Sequence, residues 1–191
     1  MPTAEVRVSA ELVARAQRGD HEAFEDLVRG PYDRLYAVAR RILRDPTAAE
    51  DAVQDAVVHA WRNLRGLHDA DRFEAWLHRL LVNACRDHTR RTKRRPIEVQ
   101  VREIERADEG DAAGRLAEWD AIERAFLRLP VEQRAALVLT HYLGYPATEV
   151  AEILGIPTGT VYSRIHYGAA AMRVALESPS GGAGRPSEGT R

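Results

Sequence analysis

The sequence predicts an all-α protein made of two small helical domains joined by a flexible linker. Apolar residues recur at helical spacing through the long segments, whereas the alternating pattern of strands is scarce. A polar, acidic and glycine-containing stretch over 96–115 interrupts the helical pattern and predicts the linker. The length of 191 residues is enough for two small domains. We therefore expect domains over 9–95 and 116–177, followed by a Gly-, Ser- and Pro-rich tail over 178–191 that is predicted to be disordered.

Five helices are predicted for the first domain, because capping residues are followed by apolar stripes. In chain order they are a short helix from Ala10 to Arg18 capped by Ser9, a helix capped by Asp20, a helix from Tyr32 to Leu43, a helix from Asp45-Pro46 to about Leu64, and a long helix capped by Asp71. Gly30-Pro31 should interrupt the second helix, since proline cannot continue helical hydrogen bonding. Residues 65–70 are predicted to form a loop, and Pro96 should end the domain.

The second domain is predicted to end in a helix-turn-helix over 146–176. Its first helices start near Leu116 and at Pro130. Ala151 is small, as a close helix crossing requires, and Gly155 follows four residues later where the chain must turn. Thr158 follows a proline and is predicted to cap the second helix of the motif. The apolar residues Val150, Leu154, Ile156, Val161 and Ile165 should form the shared core.

The second helix of this motif carries candidate DNA-binding residues. In a helix-turn-helix the start of the second helix enters the major groove, where hydroxyl, Arg and His side chains meet phosphates and base edges. The candidates are Thr158, Thr160, Tyr162, Ser163, Arg164, His166 and Tyr167. The alternative is an ordinary αα-hairpin in a helical bundle, since Arg164 and Arg173 are the helix's only cations.

The long helix of the first domain ends in a basic run. The run comprises Arg86, Arg90, Arg91, Lys93, Arg94 and Arg95, against one acidic residue, Asp87. Such a segment is able to hold a DNA backbone with a strong dependence on salt. The alternative is a solvated helix end before a linker, and Trp76 and Trp61 fit core packing better than base stacking.

The fourth helix carries an acidic stripe. Asp51 and Asp55 lie four residues apart, so they share a helix face with Gln54 beside them. This stripe suits a basic protein partner. The alternative is an ordinary solvated face.

Composition narrows the remaining classes of function. The formal net charge is −1, yet nine acids and three bases lie between Glu98 and Glu123, so the charges are segregated. Cys85 is the only cysteine, which excludes an internal disulfide or a cysteine-cluster metal site and fits a reducing compartment. No signal peptide, membrane span, P-loop or nucleophile elbow is recognisable, so we expect a cytoplasmic protein without a cofactor, a bound metal or catalytic residues.

Three segments in order resemble the extracytoplasmic-function (ECF, group 4) sigma factors of bacterial RNA polymerase, within the sigma-70 family. They are DPTAAEDAVQDAVVHAWRNL, FEAWLHRLLVNACRDHTRRTKRR and LPVEQRAALVLTHYLGYPATEVAEILGIPTGTVYSRIHYGAAAMR. The resemblance covers about residues 9–176. It implies that the first domain is sigma domain 2 and the second is sigma domain 4.

The resemblance also implies roles for the candidate residues. Asp51, Gln54 and Asp55 would contact the β′ clamp helices of core RNA polymerase, and domain 4 would meet the β flap. Asn83, Arg86 and Asp87 would melt and hold the −10 element, with Trp76, Arg79, Arg90 and Arg91 nearby, and the helix-turn-helix would read the −35 element. The family is often held inactive by an anti-sigma factor, which we expect as a further partner.

Two departures and two alternatives stay open at this point. The family usually has Arg or Lys where this chain has Tyr162 and Tyr167, so the −35 sequence and the phosphate contacts are not predicted. A stand-alone helix-turn-helix regulator would need no polymerase, but it would leave the acidic stripe without a role. An enzyme would need a site, and the spacing of His78, Cys85 and His88 matches no metal site.

Overall fold

The computed structural model of the chain describes residues 10–94 and 121–177. Every regular element in these two ranges is a helix, which confirms the predicted all-α fold class. The predicted linker over 96–115, the tail over 178–191, Ser9, Pro96 and Leu116 lie outside the described residues.

The described helices fall into an N-terminal and a C-terminal group. The first group is α1 (Ala10–Gln17), α2 (His21–Arg29), α3 (Tyr32–Leu43), α4 (Pro46–Asn63) and α5 (Phe73–Arg94), with 3-10 turns at Leu64–Gly66 and Ala70–Arg72. The second group is α6 (121–127), α7 (Val131–Leu137) continued by a π-helical turn (Val138–Tyr142), α8 (Ala147–Leu154) and α9 (Thr158–Glu177).

Local signals in the sequence account for several helix ends. The Asp20 carboxylate accepts a hydrogen bond from the backbone N–H of Ala23 at 3.0 Å, and Asp45 accepts one from Ala48 at 3.1 Å. Both caps satisfy backbone donors that a helix start leaves unpaired. The interruption predicted at Gly30-Pro31 is confirmed, because α2 ends at Arg29 and α3 begins at Tyr32.

Two predicted caps are wrong. The segment expected to be a loop ending in an Asp71 cap forms two 3-10 turns, and α5 starts only at Phe73. Asp69 is the capping residue, since its carboxylate accepts from the N–H of Asp71 at 3.0 Å and places Asp71 inside the turn.

The second wrong cap is Thr158. Helix α9 begins at Thr158 itself, because the carbonyl of Pro157 accepts the N–H groups of Thr160 and Val161 at 2.9 and 3.3 Å. Pro157 therefore occupies the capping position, where its missing N–H costs no helical hydrogen bond.

Small residues let α4 pack closely in the first domain. Helix α4 buries Ala48, Ala49, Ala52, Ala56 and Ala60 and packs against α3 and α5. The larger side chains that close this core are fully buried: Leu35, Ile42, Val53, Phe73, Leu77 and Leu81. Burial of each large side chain contributes roughly 1.5–3 kcal/mol before conformational entropy is subtracted. The opposite face of α4, which carries the acidic stripe, stays exposed to solvent.

The second domain contains the predicted helix-turn-helix. Gly155 ends α8 with φ of +65°, the left-handed conformation that favours glycine. Val150 and Val161 are fully buried between the two helices, as expected for the shared core. Helix α9 also crosses α7 closely at Gly168, where an added Cβ would lie 3.1 Å from Cδ1 of Leu137.

The two domains pack against each other. Helix α7 contacts both α3 and α5, and α8 contacts α5, so one hydrophobic core runs through both domains. The sequence patterns predicted each domain but not this contact.

Candidate nucleic-acid interface

Helices α4 and α5 form a polar cleft of about 480 Å³ on the first domain. Its polar lining residues are Asp55 and His59 from α4 and Asn83, Arg86, Asp87, Arg90 and Arg91 from α5. Asp55 of the candidate polymerase-binding set therefore shares this cleft with five of the −10 candidates, whereas Asp51 and Gln54 do not line it. An ion pair joins the two helices across the cleft, with Nη1 of Arg91 3.6 Å from Oδ2 of Asp55.

The basic side chains of this cleft form short-range pairs along α5. Nη2 of Arg90 lies 2.5 Å from Oδ1 of Asp87, and Nη1 of Arg86 donates to Oδ1 of Asn83 at 3.4 Å. Exposed ion pairs of this kind contribute at most about 1 kcal/mol. A phosphate is therefore able to replace Asp87 as the partner of Arg90 at little cost.

Arg86 differs from the other cations of the cleft because it is half-buried. Burial lowers the pKa of its guanidinium, and the nearby charge of Arg164 on α9 lowers it further. Its Nε atom is buried without a hydrogen-bond partner among the described residues. The guanidinium of Arg86 is therefore poorly solvated in this structure.

The remaining candidates on α5 divide by exposure. Arg79 and Asn83 are exposed, whereas Trp76 is half-buried with its ring centroid 6.1 Å from that of Phe73. Trp76 thus packs on the core, as the sequence favoured. The side chains of Lys93, Arg94 and Arg95 lie outside the described residues.

The acidic stripe lies on the solvent side of α4. Asp51, Gln54 and Asp55 are all exposed, and Ala52, Val53 and Ala56 between them are buried. The arrangement offers carboxylates to a basic partner without disturbing the core.

The second helix of the helix-turn-helix presents aromatic and hydroxyl groups more than charge. Tyr162 and Tyr167 are both 63% exposed, and the ring of His166 lies edge-on to Tyr167 with centroids 5.5 Å apart. Ser163 is exposed and its hydroxyl donates to the carbonyl of Gly159 at 3.0 Å. Thr158 and Thr160 are half-buried.

Arg164, like the two threonines, is only partly exposed on this helix. Its side chain is half-buried, and its Nη1 atom has no hydrogen-bond partner among the described residues. After burial, the charge of Arg164 is the next largest cause that lowers the pKa of Arg86 on α5.

Sequence reasoning missed a group of residues at the contact between the domains. His78 is 1% exposed and its Nδ1 atom lies 3.1 Å from the hydroxyl of Tyr145. Arg134 is 8% exposed. Burial raises the pKa of the Cys85 thiol, and the charge of Arg134 partly offsets this rise. The only signal available in the sequence was the spacing of His78, Val82 and Cys85, which places a second apolar stripe on α5.

Two family models match the chain in the expected order. The Sigma-70 region 2 model matches residues 27–95, and the Sigma-70 region 4 model matches residues 119–172. The ECF RNA polymerase sigma factor SigM of Mycobacterium tuberculosis (strain H37Rv) is 40% identical over 161 residues, which cover 83% of this chain and 79% of the relative. The chain belongs to the family of ECF RNA polymerase sigma factors.

Further comparisons agree with this family. The sigma factor SigW of Bacillus subtilis (strain 168) is 32% identical, with 86% of this chain and 94% of the relative covered. The solved structure of CnrH in complex with the cytosolic domain of CnrY is 31% identical and has a TM-score of 0.64, covering 89% of this chain and 97% of CnrH. The sigma factor RpoE of Bartonella quintana, at 22% identity and the same TM-score of 0.64, shares the fold.

The two family models fall on the two helical domains in chain order. This ECF sigma factor has its region 2 match on the domain with the α4–α5 cleft and its region 4 match on the domain with the helix-turn-helix. Across residues 10–94 and 121–177, none of the helices combines the length and the apolar character needed to span a bilayer.

Proposed function

We propose that this protein binds core RNA polymerase through the exposed stripe of Asp51, Gln54 and Asp55 and reads the two promoter elements with its two domains. The observation that carries the proposal is the cleft in which Asp55, one end of this acidic stripe, adjoins the polar groups of α5. Binding to the β′ clamp helices by α4 would place α5 where the −10 DNA opens. Domain 4 would meet the β flap and hold duplex −35 DNA.

The −10 element is captured by α5. Asn83 and Asp87 offer hydrogen-bonding groups to unpaired bases, while Arg79, Arg86, Arg90 and Arg91 offer cations to the backbone. Stacking and pocket contacts contribute roughly 1–3 kcal/mol per unpaired base, which offsets the cost of melting. Trp76 supports the helix from the core side rather than stacking on a base.

The −35 element is read by the N-terminal half of α9. Tyr162, Ser163 and Tyr167 are exposed there, and the usual family cations at the two tyrosine positions are absent. Phenol rings contact thymine methyl groups and sugars, and the hydroxyls donate to phosphates. This half of the site depends less on counterion release than a basic helix would.

Run-off transcription tests the polymerase contact. Core polymerase with this protein, on the promoter region of the protein's own operon, should give a specific transcript that is lost with Asp51→Arg/Asp55→Arg. The double substitution Glu22→Arg/Glu25→Arg makes the same charge change at exposed positions of α2 and serves as the matched control. Retention of the transcript by the α4 variant would contradict the contact, and tight operator binding without any core binding would identify a stand-alone regulator.

The protein acts inside the cytoplasm, is not itself an enzyme, and is held inactive by an anti-sigma factor. CnrH, a relative with a solved structure, is bound there to the cytosolic domain of CnrY. Affinity capture from cells grown without stress should recover a dedicated small protein together with this chain. Recovery of polymerase alone in every condition would contradict the inhibitor.

A further inference from the structure

Three arginines from three different helices each have a buried nitrogen atom without a hydrogen-bond partner. Within the part of the chain that the structure describes, these atoms are Nε of Arg86 on α5, Nε of Arg134 on α7 and Nη1 of Arg164 on α9. Buried polar groups are normally paired, and an unpaired one is often explained by a bound water or ion. Burial of a charged group is especially unfavourable unless a partner stabilises it. An anion is the partner that suits these three donors.

The charges around these arginines are unbalanced. Burial lowers the pKa of the Arg86 guanidinium most, and the charge of Arg164 lowers it further, whereas the charge of Glu132 raises it by less. The same Glu132 on α7 is the carboxylate that acts on Arg134. Three arginines around one glutamate leave an excess of positive charge. Repulsion between like charges is strongest where they are poorly solvated, so an anion at this place would stabilise the cluster.

Cys85 does not supply the counter-charge. Burial raises the pKa of its thiol to about 12, and the charges of Arg134 and Arg86 only partly offset that rise. The sulfur is close enough to both arginines for their charges to act on it. It is nevertheless a neutral thiol at physiological pH, because only the thiolate carries a negative charge. The positive excess therefore remains.

The acids of the neighbouring cleft are paired with other arginines. Oδ2 of Asp55 lies 3.6 Å from Nη1 of Arg91. Oδ1 of Asp87 lies 2.5 Å from Nη2 of Arg90. Both carboxylates line the same cleft as Arg86, yet neither forms an ion pair with it among the described residues. Arg86 thus differs from the other cations of α5 in having no acid of its own.

One edge of the Arg86 guanidinium is available for an anion. Its Nη1 atom donates to Oδ1 of Asn83 at 3.4 Å, whereas its Nε atom has no partner among the described residues. Two neighbouring N–H groups on one edge of a guanidinium bind two oxygen atoms of a phosphate at once. Arg86 also lines the cleft of about 480 Å³ between α4 and α5. A phosphate group is therefore able to approach this arginine from solvent through the cleft.

We propose that Arg86 and Arg164 form an anion site that binds a phosphate group, supplied by inorganic phosphate or by a nucleotide, between α5 and α9. Arg86 holds the group by the free edge of its guanidinium, and Arg164 supplies the second cation from the other domain. Arg134, whose Nη1 atom donates to the carbonyl of Leu127 at 3.4 Å, adds positive charge behind them. The site belongs to the free protein and does not depend on the roles that the proposed function gives to these arginines.

Isothermal titration calorimetry of the full chain tests the site. Inorganic phosphate and ATP are titrated separately, with the ionic strength held constant by potassium chloride. Arg86→Gln and Arg164→Gln should each weaken binding about tenfold or more, because each removes a charge-assisted hydrogen bond. Arg62→Gln on α4 and Arg173→Gln on α9 remove exposed arginines and serve as matched controls. They should bind within about twofold of the parent protein.

The two titrants distinguish the sources of the phosphate group. Saturable binding of inorganic phosphate at one site per chain would identify the phosphate group alone as the ligand. Binding of ATP without binding of inorganic phosphate would identify a nucleotide. Failure of both titrants to bind saturably would overturn the site. Equal losses of affinity in the test and control variants would also overturn it, since they would show general attraction to a basic surface.

Reversal of one charge provides an independent test. Arg164→Glu places a carboxylate next to Arg86, so it should raise the thermal midpoint in chloride alone and remove the stabilisation that phosphate gives to the parent protein. Arg173→Glu makes the same change at an exposed position of α9 and should alter neither quantity. Loss of stability in Arg164→Glu, together with unchanged phosphate binding in Arg164→Gln, would contradict the role of Arg164.

Discussion

The cleft on α5 and the exposed face of α9 are both candidate DNA surfaces, yet they are built from different chemistry. The first concentrates cations that are paired with neighbouring acids, such as Arg90 with Asp87. The second exposes Tyr162 and Tyr167, whereas Arg164 is half-buried. Under the proposed function, this difference divides promoter binding into an electrostatic half on α5 and a less salt-dependent half on α9.

The sharpest test of this comparison separates aromatic residues that hold the fold from those that face solvent. Phe73→Ala should lower the free energy of unfolding by about 3–5 kcal/mol, because the ring is fully buried between α5 and the core. Tyr167→Ala should change it by less than about 0.5 kcal/mol, since the ring is 63% exposed. Urea unfolding followed by circular dichroism measures both. A large loss of stability in the Tyr167 variant would mean that α9 uses its aromatics for packing.

The contact between the two domains at His78 should make the stability of the protein sensitive to acid. Burial lowers the pKa of His78 to about 4 from 6.5, with Arg34 on α3 contributing, and Glu74 and Tyr145 are its other polar neighbours. Between these values the exposed imidazole binds a proton that the buried one does not, so stability should fall as pH falls from about 6.5 to 4. The slope should reach about 1.4 kcal/mol per pH unit.

His78→Gln should remove most of this slope, because glutamine does not titrate. Denaturant unfolding at several pH values in this window measures it. An unchanged slope in the variant would assign the acid sensitivity to other groups.

Salt dependence distinguishes the two DNA surfaces. Arg79→Ala/Arg90→Ala should reduce the slope of log affinity against log salt by about 1.4 for forked −10 DNA bound to the holoenzyme, at about 0.7 per lost phosphate contact. Tyr162→Ala/Tyr167→Ala should weaken −35 binding with the slope unchanged. Fluorescence anisotropy over a salt series gives both slopes. Equal changes of slope in the two variants would remove the distinction between the surfaces.

The smallest expected effect concerns two glycines of the helix-turn-helix. Gly155→Ala should destabilise the second domain by about 1 kcal/mol, because φ of +65° strains an alanine. Gly159→Ala, where an added Cβ meets nothing within 4 Å on α9, should stabilise it by up to about 1 kcal/mol. Thermal unfolding of the two variants should therefore move in opposite directions. Stabilisation by both substitutions would mean that the turn at Gly155 accepts an alanine without strain.

Short-range sequence signals predicted much of the fold. The caps at Asp20 and Asp45, the break at Gly30-Pro31 and the turn at Gly155 depend on residues a few positions apart, so the sequence predicts them. The caps at Asp71 and Thr158 were wrong because neighbouring residues, Asp69 and Pro157, competed for the same backbone groups. The capping preference of a residue type does not by itself decide which of two nearby residues caps the helix.

By itself, the sequence determined the all-α class, the order of the two domains and the family, because periodicity, turns and motifs are local in the chain. Only the tertiary structure decided that Asp55 and Arg91 share a cleft, that burial and the charge of Arg164 lower the pKa of Arg86, and that the Tyr145 hydroxyl lies next to His78. Each of these depends on how helices distant in the chain pack together. Periodicity shows that a face is apolar, but not which surface buries it.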